Sequence, residues 1–124
     1  NTAERKNSYW WYTINLDLDA LDIKADGMIK ELMAMNIPCY GIQWPEAYEE
    51  AAYKNHGGFG SVGFPFNSKE YTDESSVQYD KVYCKNANSL RSQTVCLFLH
   101  PSWEEVHINK CIDSFKKIIA SHLK

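Results

Sequence analysis

The chain has 124 residues, of which 44% are hydrophobic, and 13 basic against 16 acidic side chains give a net charge of −3. This length suits one domain with its own core, and the charge offers no basic surface for nucleic acid. No apolar run approaches the ~20 residues of a membrane span, and no signal peptide opens the sequence. We therefore expect a globular protein in the cytoplasm, with no nucleic-acid or membrane partner.

The N-terminal part predicts a linker followed by a strand. Residues 1–7 are polar, and residues 8–19, "SYWWYTINLDLD", alternate apolar and polar side chains. A period of two is typical of a strand with one apolar face. The side chains expected on that face are Trp10, Tyr12, Ile14, Leu16 and Leu18.

A helix and a second strand are predicted next. In residues 23–36 the apolar side chains recur with helical spacing, and Asn36 suits the left-handed conformation that ends a helix. Residues 37–42, "IPCYGI", predict a strand, and Pro38 favours a position at the sheet edge. The predicted buried stripe of the helix contains Met28, Ile29, Leu32 and Met33.

The middle of the chain is less regular. Residues 46–55 predict a short helix after Pro45, closed at His56 and the two glycines behind it. Residues 57–76, rich in glycine and aromatic side chains, predict a long structured loop. Residues 84–92, "CKNANSLRS", suggest a solvated polar turn.

The C-terminal part predicts a strand and a helix. Residues 93–100, "QTVCLFLH", are apolar on both faces, and Pro101 ends the strand. Ser102 and Glu105 have the spacing of a capping box for the helix that follows. The apolar stripe of that helix contains Ile108, Cys111, Ile112, Phe115, Ile118, Ile119 and Leu123. The predicted fold class is therefore α+β, with a small, mainly antiparallel sheet of about three strands and helices packed on one face.

Several arrangements that could carry chemistry have plainer alternatives. His107 and Cys111 are four residues apart and His100 precedes them, which suits a zinc site or, alternatively, an apolar stripe beside a solvated histidine. A Cys–His hydrolase and a phosphate loop in residues 56–64 have weaker support. The four cysteines are widely spaced, which favours free thiols. We predict no catalytic residue and no metal site in this chain.

Polar-tipped aromatic side chains gather just after the second strand. They are Tyr40, Trp44, Tyr48 and His56. Such side chains at a strand end commonly line a pocket or an interface, and packing of the loop itself is the alternative. We predict that these four residues bind substrate.

The order of the segments resembles the C-terminal small domain of the DegT/DnrJ/StrS-type aminotransferases. Asn36–Pro38 is similar to the family's helix-to-strand junction, and Trp44–Pro45 to its aromatic-proline turn. Cys84–Leu90 resembles its "CPxAExL" segment, and Leu97–Pro101 its "LPLHP" strand. The resemblance runs from about residue 8 onward, so residues 8–124 would form the small domain behind a linker at 1–7.

This resemblance implies a pyridoxal-phosphate (PLP) enzyme that aminates nucleotide-linked keto sugars or cyclitol ketones. In this family the Schiff-base lysine and most cofactor contacts belong to a large N-terminal domain. This chain would then hold no cofactor by itself, would be inactive alone, and would have that domain and a homodimer partner as its neighbours. Because the chain begins at Asn1, we expect it to be a piece of a longer protein.

Two other interpretations stay open. The chain could be a stand-alone α+β module that binds a ligand or regulates another protein through the aromatic residues. It could also be the small domain of a different PLP enzyme, with an aspartate-aminotransferase-like architecture.

Overall fold

The computed structural model describes residues 3–60, 64–66, 68–69 and 78–124. The chain divides into two compact units. One is formed by Asn1–Gln43 with Ser89–Lys124 and the other by Trp44–Asn88. We call them unit 1 and unit 2. The strands are β1 (Trp11–Asn15), β2 (Cys39–Tyr40) and β3 (Thr94–Phe98), and the α-helices are α1 (Ala25–Ala34), α2 (Ala51–Lys54), α3 (Lys85–Gln93) and α4 (Glu105–Ser121).

The sheet lies in unit 1 and has the strand order β1-β3-β2. Both outer strands are antiparallel to β3, with Trp11 opposite Phe98 in one pairing and Cys39 opposite Leu97 in the other. The α+β class with a small antiparallel sheet is therefore confirmed. β2 lies at an edge, as Pro38 indicated.

The core of unit 1 lies between one face of this sheet and the helices α1 and α4. Val95 and Leu97, which alternate along β3, share this face and are 0% and 6% exposed. From the helices, Met28, Leu32 and Ile118 are almost fully buried. Burying a side chain of this size contributes about 1.5–3 kcal/mol, so this layer supplies much of the stability of unit 1.

The first strand is shorter than its alternation predicts. Trp10 was expected on the apolar face but is 85% exposed, because Tyr9 before it has a positive φ of 39° that breaks the extended backbone. At the other end, the Asp17 carboxylate accepts a hydrogen bond from the Asp19 N–H at 3.0 Å and turns the chain. Ile14, Leu16 and Leu18 contribute to the core as predicted.

Helix α1 has a narrower buried stripe than predicted. Met28 and Leu32 are buried and Ile29 packs against the core, but Met33 is 59% exposed. Each helical residue turns the side chain by about 100°, so Met33 points about 140° away from Met28 and about 100° away from Leu32, whereas Ile29 is only about 60° from Leu32. Asn36 has a φ of 60° and ends the helix as expected.

Two predictions for the C-terminal part are wrong in detail. Residues 85–93, expected as a polar turn, form α3, which leads directly into β3. The capping box lies at Glu104 and His107 instead of Ser102 and Glu105, with the Glu104 N–H donating to His107 Nδ1 at 3.1 Å. The Ser102 hydroxyl is hydrogen-bonded to His100 Nδ1 and does not cap the helix.

Unit 2 has little regular structure. Short 3-10 helices at Ala47–Glu49 and Tyr79–Lys81 accompany α2, so the helix predicted after Pro45 is divided at Glu50. Much of the loop predicted at residues 57–76 lies outside the described residues, as do the first two residues of the linker. Among the described residues, no helix is both long and apolar enough to cross a membrane.

Candidate functional site

Tyr40 lies on β2 in unit 1, on the sheet face opposite the core. It pairs in register with Cys96, and its ring meets that of Trp11 edge to face with centroids 5.1 Å apart. Trp11 is on β1 and Tyr40 on β2, so the two rings approach each other across β3. Burial, and then the nearby Cys96, raise the pKa of the Tyr40 hydroxyl. Tyr40 therefore covers this face of the central strand.

Tyr48 lies in unit 2 and fixes the start of α3. Its hydroxyl accepts hydrogen bonds from the Cys84 N–H at 3.2 Å and from Asn88 Nδ2 at 2.9 Å. Backbone N–H groups at the start of a helix have no partner within the helix, so this hydroxyl satisfies a group that needs one. Trp44, four residues before Tyr48, is 61% exposed.

His56 belongs to a cluster of rings in unit 2. Its imidazole stacks on Phe66 with centroids 5.6 Å apart and an interplanar angle of 14°, and it meets Tyr79 edge to face at 6.4 Å. Tyr53 packs on Tyr79 at 5.3 Å. His56 has a φ of 51°, so the chain reverses here, as its place at the end of the short helix predicted.

The structure gives these positions different contacts. In unit 2, Tyr48 accepts hydrogen bonds at the start of α3 and His56 packs among aromatic rings, whereas Tyr40 lies on β2 of unit 1. For Tyr48 and His56, these contacts are of the kind expected if the residues pack the loop itself. A role for Tyr40, Trp44, Tyr48 and His56 in binding substrate stays a prediction.

The possible metal and nucleophile residues have structural roles. His107 accepts the capping hydrogen bond of α4, and Cys111 is buried in the core. No group of three or more His, Cys, Asp or Glu side chains suited to a metal ion occurs within the described ranges. His100 Nδ1 accepts from the Ser102 N–H at 3.2 Å, which is the local bond of a strand-to-helix corner.

The thiols also lack the environment of a nucleophile. Cys39, Cys96 and Cys111 are free and buried, as expected, whereas Cys84 is free and exposed. Burial raises the pKa of the Cys39 thiol to about 11, with a further contribution from Cys111. Burial likewise raises the pKa of Cys96 and of Cys111. Because the thiolate is the nucleophile, burial and a raised pKa both lower the reactivity of these three cysteines.

An apolar groove of about 510 Å³ lies in unit 1 between α4 and the core-facing side of β1 and β3. Buried residues such as Leu97 and Phe115 form its floor, whereas Tyr12, Ile108 and Ile112 form walls that are 43%, 48% and 45% exposed. Lys116 is the only charged residue of the lining. The full lining is Tyr12, Ile14, Leu97, Leu99, Trp103, Ile108, Cys111, Ile112, Phe115, Lys116 and Ile119.

The groove was not predicted, although the sequence contains a signal for it. Ile108 and Ile112 belong to the apolar stripe that the sequence predicts for α4. The three-stranded sheet covers only the part of this stripe that contains Cys111, Phe115 and Ile118. When the apolar stripe of a helix is wider than the sheet face that covers it, part of the stripe stays exposed. Such exposed apolar surfaces often mark binding sites.

Comparisons of the chain with family models, with curated proteins and with solved structures each give no match. The aminotransferase resemblance therefore rests on the residues quoted for it.

Proposed function

We propose that this chain is the C-terminal small domain of a PLP-dependent aminotransferase of the DegT/DnrJ/StrS type. The enzyme would be cytoplasmic and would aminate a nucleotide-linked keto sugar or a cyclitol ketone. The observation that supports this proposal is the architecture of unit 1. Its strands and helices follow the order β1, α1, β2, β3, α4, and its antiparallel sheet has helices on one face, which is the fold that the resemblance implies.

The sheet face opposite the core provides a second observation that supports the proposal, because it suits contact with a neighbouring domain. Phe98 lies on this face, in register with Trp11, and is 46% exposed. Phe98 shares this face with the partly exposed rings of Trp11 and Tyr40, and contiguous apolar surfaces of this kind often mark an interface. We assign this face to contact with the N-terminal domain of the enzyme, and the homodimer partner is a further expected neighbour.

The proposal assigns PLP to the N-terminal domain and not to this chain. A PLP site needs a lysine that forms the Schiff base and an acidic partner for the pyridine nitrogen. Lys116 is the only lysine that lines the groove in unit 1, and no Asp or Glu is found among the lining residues. We therefore derive no catalytic step on this chain and assign the cofactor to the N-terminal domain.

The proposed role of this chain is to shape the substrate cleft. Tyr40, Trp44, Tyr48 and His56 are the candidates to form its wall. Trp44 is the most accessible of them, at 61% exposure, and an exposed indole can stack on the apolar face of a sugar or cyclitol ring. We expect Trp44 to contribute to substrate affinity and not to the chemical step.

The test uses the product of the complete reading frame that contains this chain. We expect it to bind PLP stoichiometrically and to transfer an amino group from an amino donor to a keto sugar or to scyllo-inosose. In that protein, Trp44→Ala should raise the KM for the ketone about tenfold, which is the loss of one stacking contact, and leave kcat and the PLP content unchanged.

Tyr83→Phe is the matched control, because Tyr83 is a 71% exposed aromatic residue of unit 2 outside the candidate set. A complete product that binds no PLP would reject the aminotransferase assignment and favour a stand-alone ligand-binding module. If PLP binds but Trp44→Ala leaves the KM unchanged, the substrate role of Trp44 is wrong.

A further inference from the structure

We infer that the apolar groove of unit 1 binds a small amphipathic anion, with an elongated apolar body along α4 and a single anionic head group at Lys116. The volume of about 510 Å³ falls within the ~300–1,000 Å³ typical of small-molecule sites. The inference does not depend on the aminotransferase proposal, since it uses only residues of unit 1 that have no part in that function.

The shape of the groove suits an elongated apolar ligand. Leu97, Cys111 and Phe115 at the floor are 6%, 7% and 9% exposed, so the bottom of the groove is packed and fixed. Ile108 and Ile112 stand one turn apart on α4 and form one wall, and Tyr12 of β1 is part of the other. A ligand between these walls would remove their exposed apolar surface from water, which is the main source of affinity in such sites.

The charge of the lining selects an anion. Lys116 brings the only charge to the lining, and no ion pair with Lys116 is found in the part of the chain that the structure describes. Asp113, one turn earlier on α4, is not among the lining residues. An ammonium group beside a low-dielectric wall attracts an anion more strongly than it would in open water.

The same charge argues against a second copy of the chain as the occupant. A two-fold symmetric contact places the same patch of both copies against each other. Groove against groove would enclose two Lys116 ammonium groups in one apolar interface, and neither described lining contains a carboxylate to pair with them. A small anion neutralises Lys116, which a symmetric partner does not.

The experiment measures binding of alkyl amphiphiles to the 124-residue chain below their micelle concentrations by titration calorimetry. We expect dodecanoate to bind with one site per chain, and dodecyltrimethylammonium, which has the same tail and the opposite charge, to bind at least fivefold more weakly. Across octanoate, decanoate and dodecanoate the affinity should rise about fourfold per added methylene, because each buried methylene adds ~0.8 kcal/mol.

Two variants test the head group. Lys116→Gln should weaken dodecanoate binding about threefold to fivefold, the upper part of the range for one exposed ion pair, and should leave dodecyltrimethylammonium unweakened. Lys117→Gln is the matched control, because Lys117 has the same charge on the next residue of α4 and does not line the groove. Both side chains are exposed, so neither change should disturb folding.

The position of the ligand is tested separately with 12-bromododecanoate, whose bromine quenches nearby indoles. Trp103 lines the groove, whereas Trp11 lies on the opposite sheet face. Quenching should therefore disappear in Trp103→Phe while calorimetric binding persists.

Three outcomes of these experiments would each overturn the inference. They are equal affinity for the anion and the cation, equal effects of the two lysine variants, and quenching that survives Trp103→Phe. Binding only to anionic phospholipid vesicles, and not to dissolved dodecanoate, would also overturn it.

Discussion

His122, at the C-terminal end of α4, bonds Asp22, which lies a hundred residues earlier and just before α1. The two side chains meet through Nδ1 and Oδ1 at 2.7 Å, and the other ring nitrogen of His122 contacts Glu31 Oε1 of α1 at 2.8 Å. Around them, the Asp22 N–H donates to the His122 carbonyl at 3.0 Å, and Leu21 pairs with Leu123 in an isolated β-bridge. The end of the chain is thereby fixed to the segment that leads into α1.

This arrangement predicts a pH-dependent stability. A neutral imidazole has one N–H, whereas the protonated ring donates from both nitrogens and so satisfies both carboxylates. The hydrogen bond to Glu31, and then that to Asp22, raise the pKa of His122 above its ordinary value of 6.5. A folded-state pKa above the unfolded value means that this stabilisation is fully present below about pH 6.5 and is lost as the pH rises through the folded pKa.

We therefore expect the difference in unfolding free energy between the natural chain and His122→Gln to be largest near about pH 6 and to shrink toward about pH 9. Urea unfolding at several pH values measures it. His100→Gln is the control, because it makes the same substitution at a histidine whose hydrogen bonds are to Ser102 and not to Asp22 or Glu31. Added salt should reduce the effect at low pH, since Asp22 and Glu31 are 60% and 41% exposed. A His122→Gln difference that is constant with pH would contradict the prediction.

The two methionines of α1 test the position of the core. Met28 is fully buried and Met33 is 59% exposed, although the sequence placed both on the same stripe. Met28→Ala should lower the unfolding free energy by about 2–5 kcal/mol, because it removes buried methylene groups and leaves a cavity. Met33→Ala should change it by less than about 0.5 kcal/mol. Equal losses for the two variants, measured by urea unfolding, would show that the helix has a different rotation about its axis.

The periodicity of the sequence predicted the fold class because one buried face repeats every two residues in a strand and about every 3.6 in a helix. It did not predict α3, because residues 85–93 contain few apolar side chains and their helix is held by other contacts, such as Thr94 Oγ1 donating to the Leu90 carbonyl at 2.7 Å. The limits of β1 were wrong for a similar reason. They depend on the backbone of Tyr9 and on the hydrogen bond of Asp17, which hydrophobic patterns do not encode.

The site was harder to predict than the fold. Aromatic residues after β2 suggested a pocket, but a sequence does not say which rings contact one another, and the structure gives Tyr48 and His56 different partners. The groove depends on how much of α4 three strands can cover, which is a property of sheet width. Lys116 becomes a candidate for binding an anion only because it lines the groove. In the sequence alone, a lysine on an amphipathic helix is ordinary.

Tyr48 provides a test of how unit 2 is ordered. Tyr48→Phe removes the hydroxyl that accepts from the Cys84 N–H and from Asn88, so both donors lose this partner. A net loss of about 0.5–1.5 kcal/mol per hydrogen bond is typical, and we expect amide exchange at Cys84 and in the first turn of α3 to accelerate about tenfold. Hydrogen exchange measured by NMR gives the result residue by residue. Tyr83→Phe should leave these rates unchanged, and equally slow exchange in Tyr48→Phe would contradict the assigned hydrogen bonds.

The contact between Trp11 and Tyr40 across β3 gives the last prediction. Cys96 of β3 shares this sheet face and is only 2% exposed, even though the core lies on the other side. We therefore expect the two rings to cover its thiol. A double-mutant cycle of Trp11→Leu and Tyr40→Leu should give a coupling of about 0.5–1.5 kcal/mol, the usual range for an edge-to-face pair.

The same two variants should expose Cys96 to a thiol reagent. Cys84 is exposed and should react at once in every variant, which makes it the internal reference. Cys39 and Cys111 are buried in the core on the other face and should stay protected. Selective labelling of Cys96 in the double variant would show that aromatic side chains of the outer strands cover the central strand. If all three buried cysteines react together, the loss is one of global stability, and the two rings are part of the core and not a cover for Cys96.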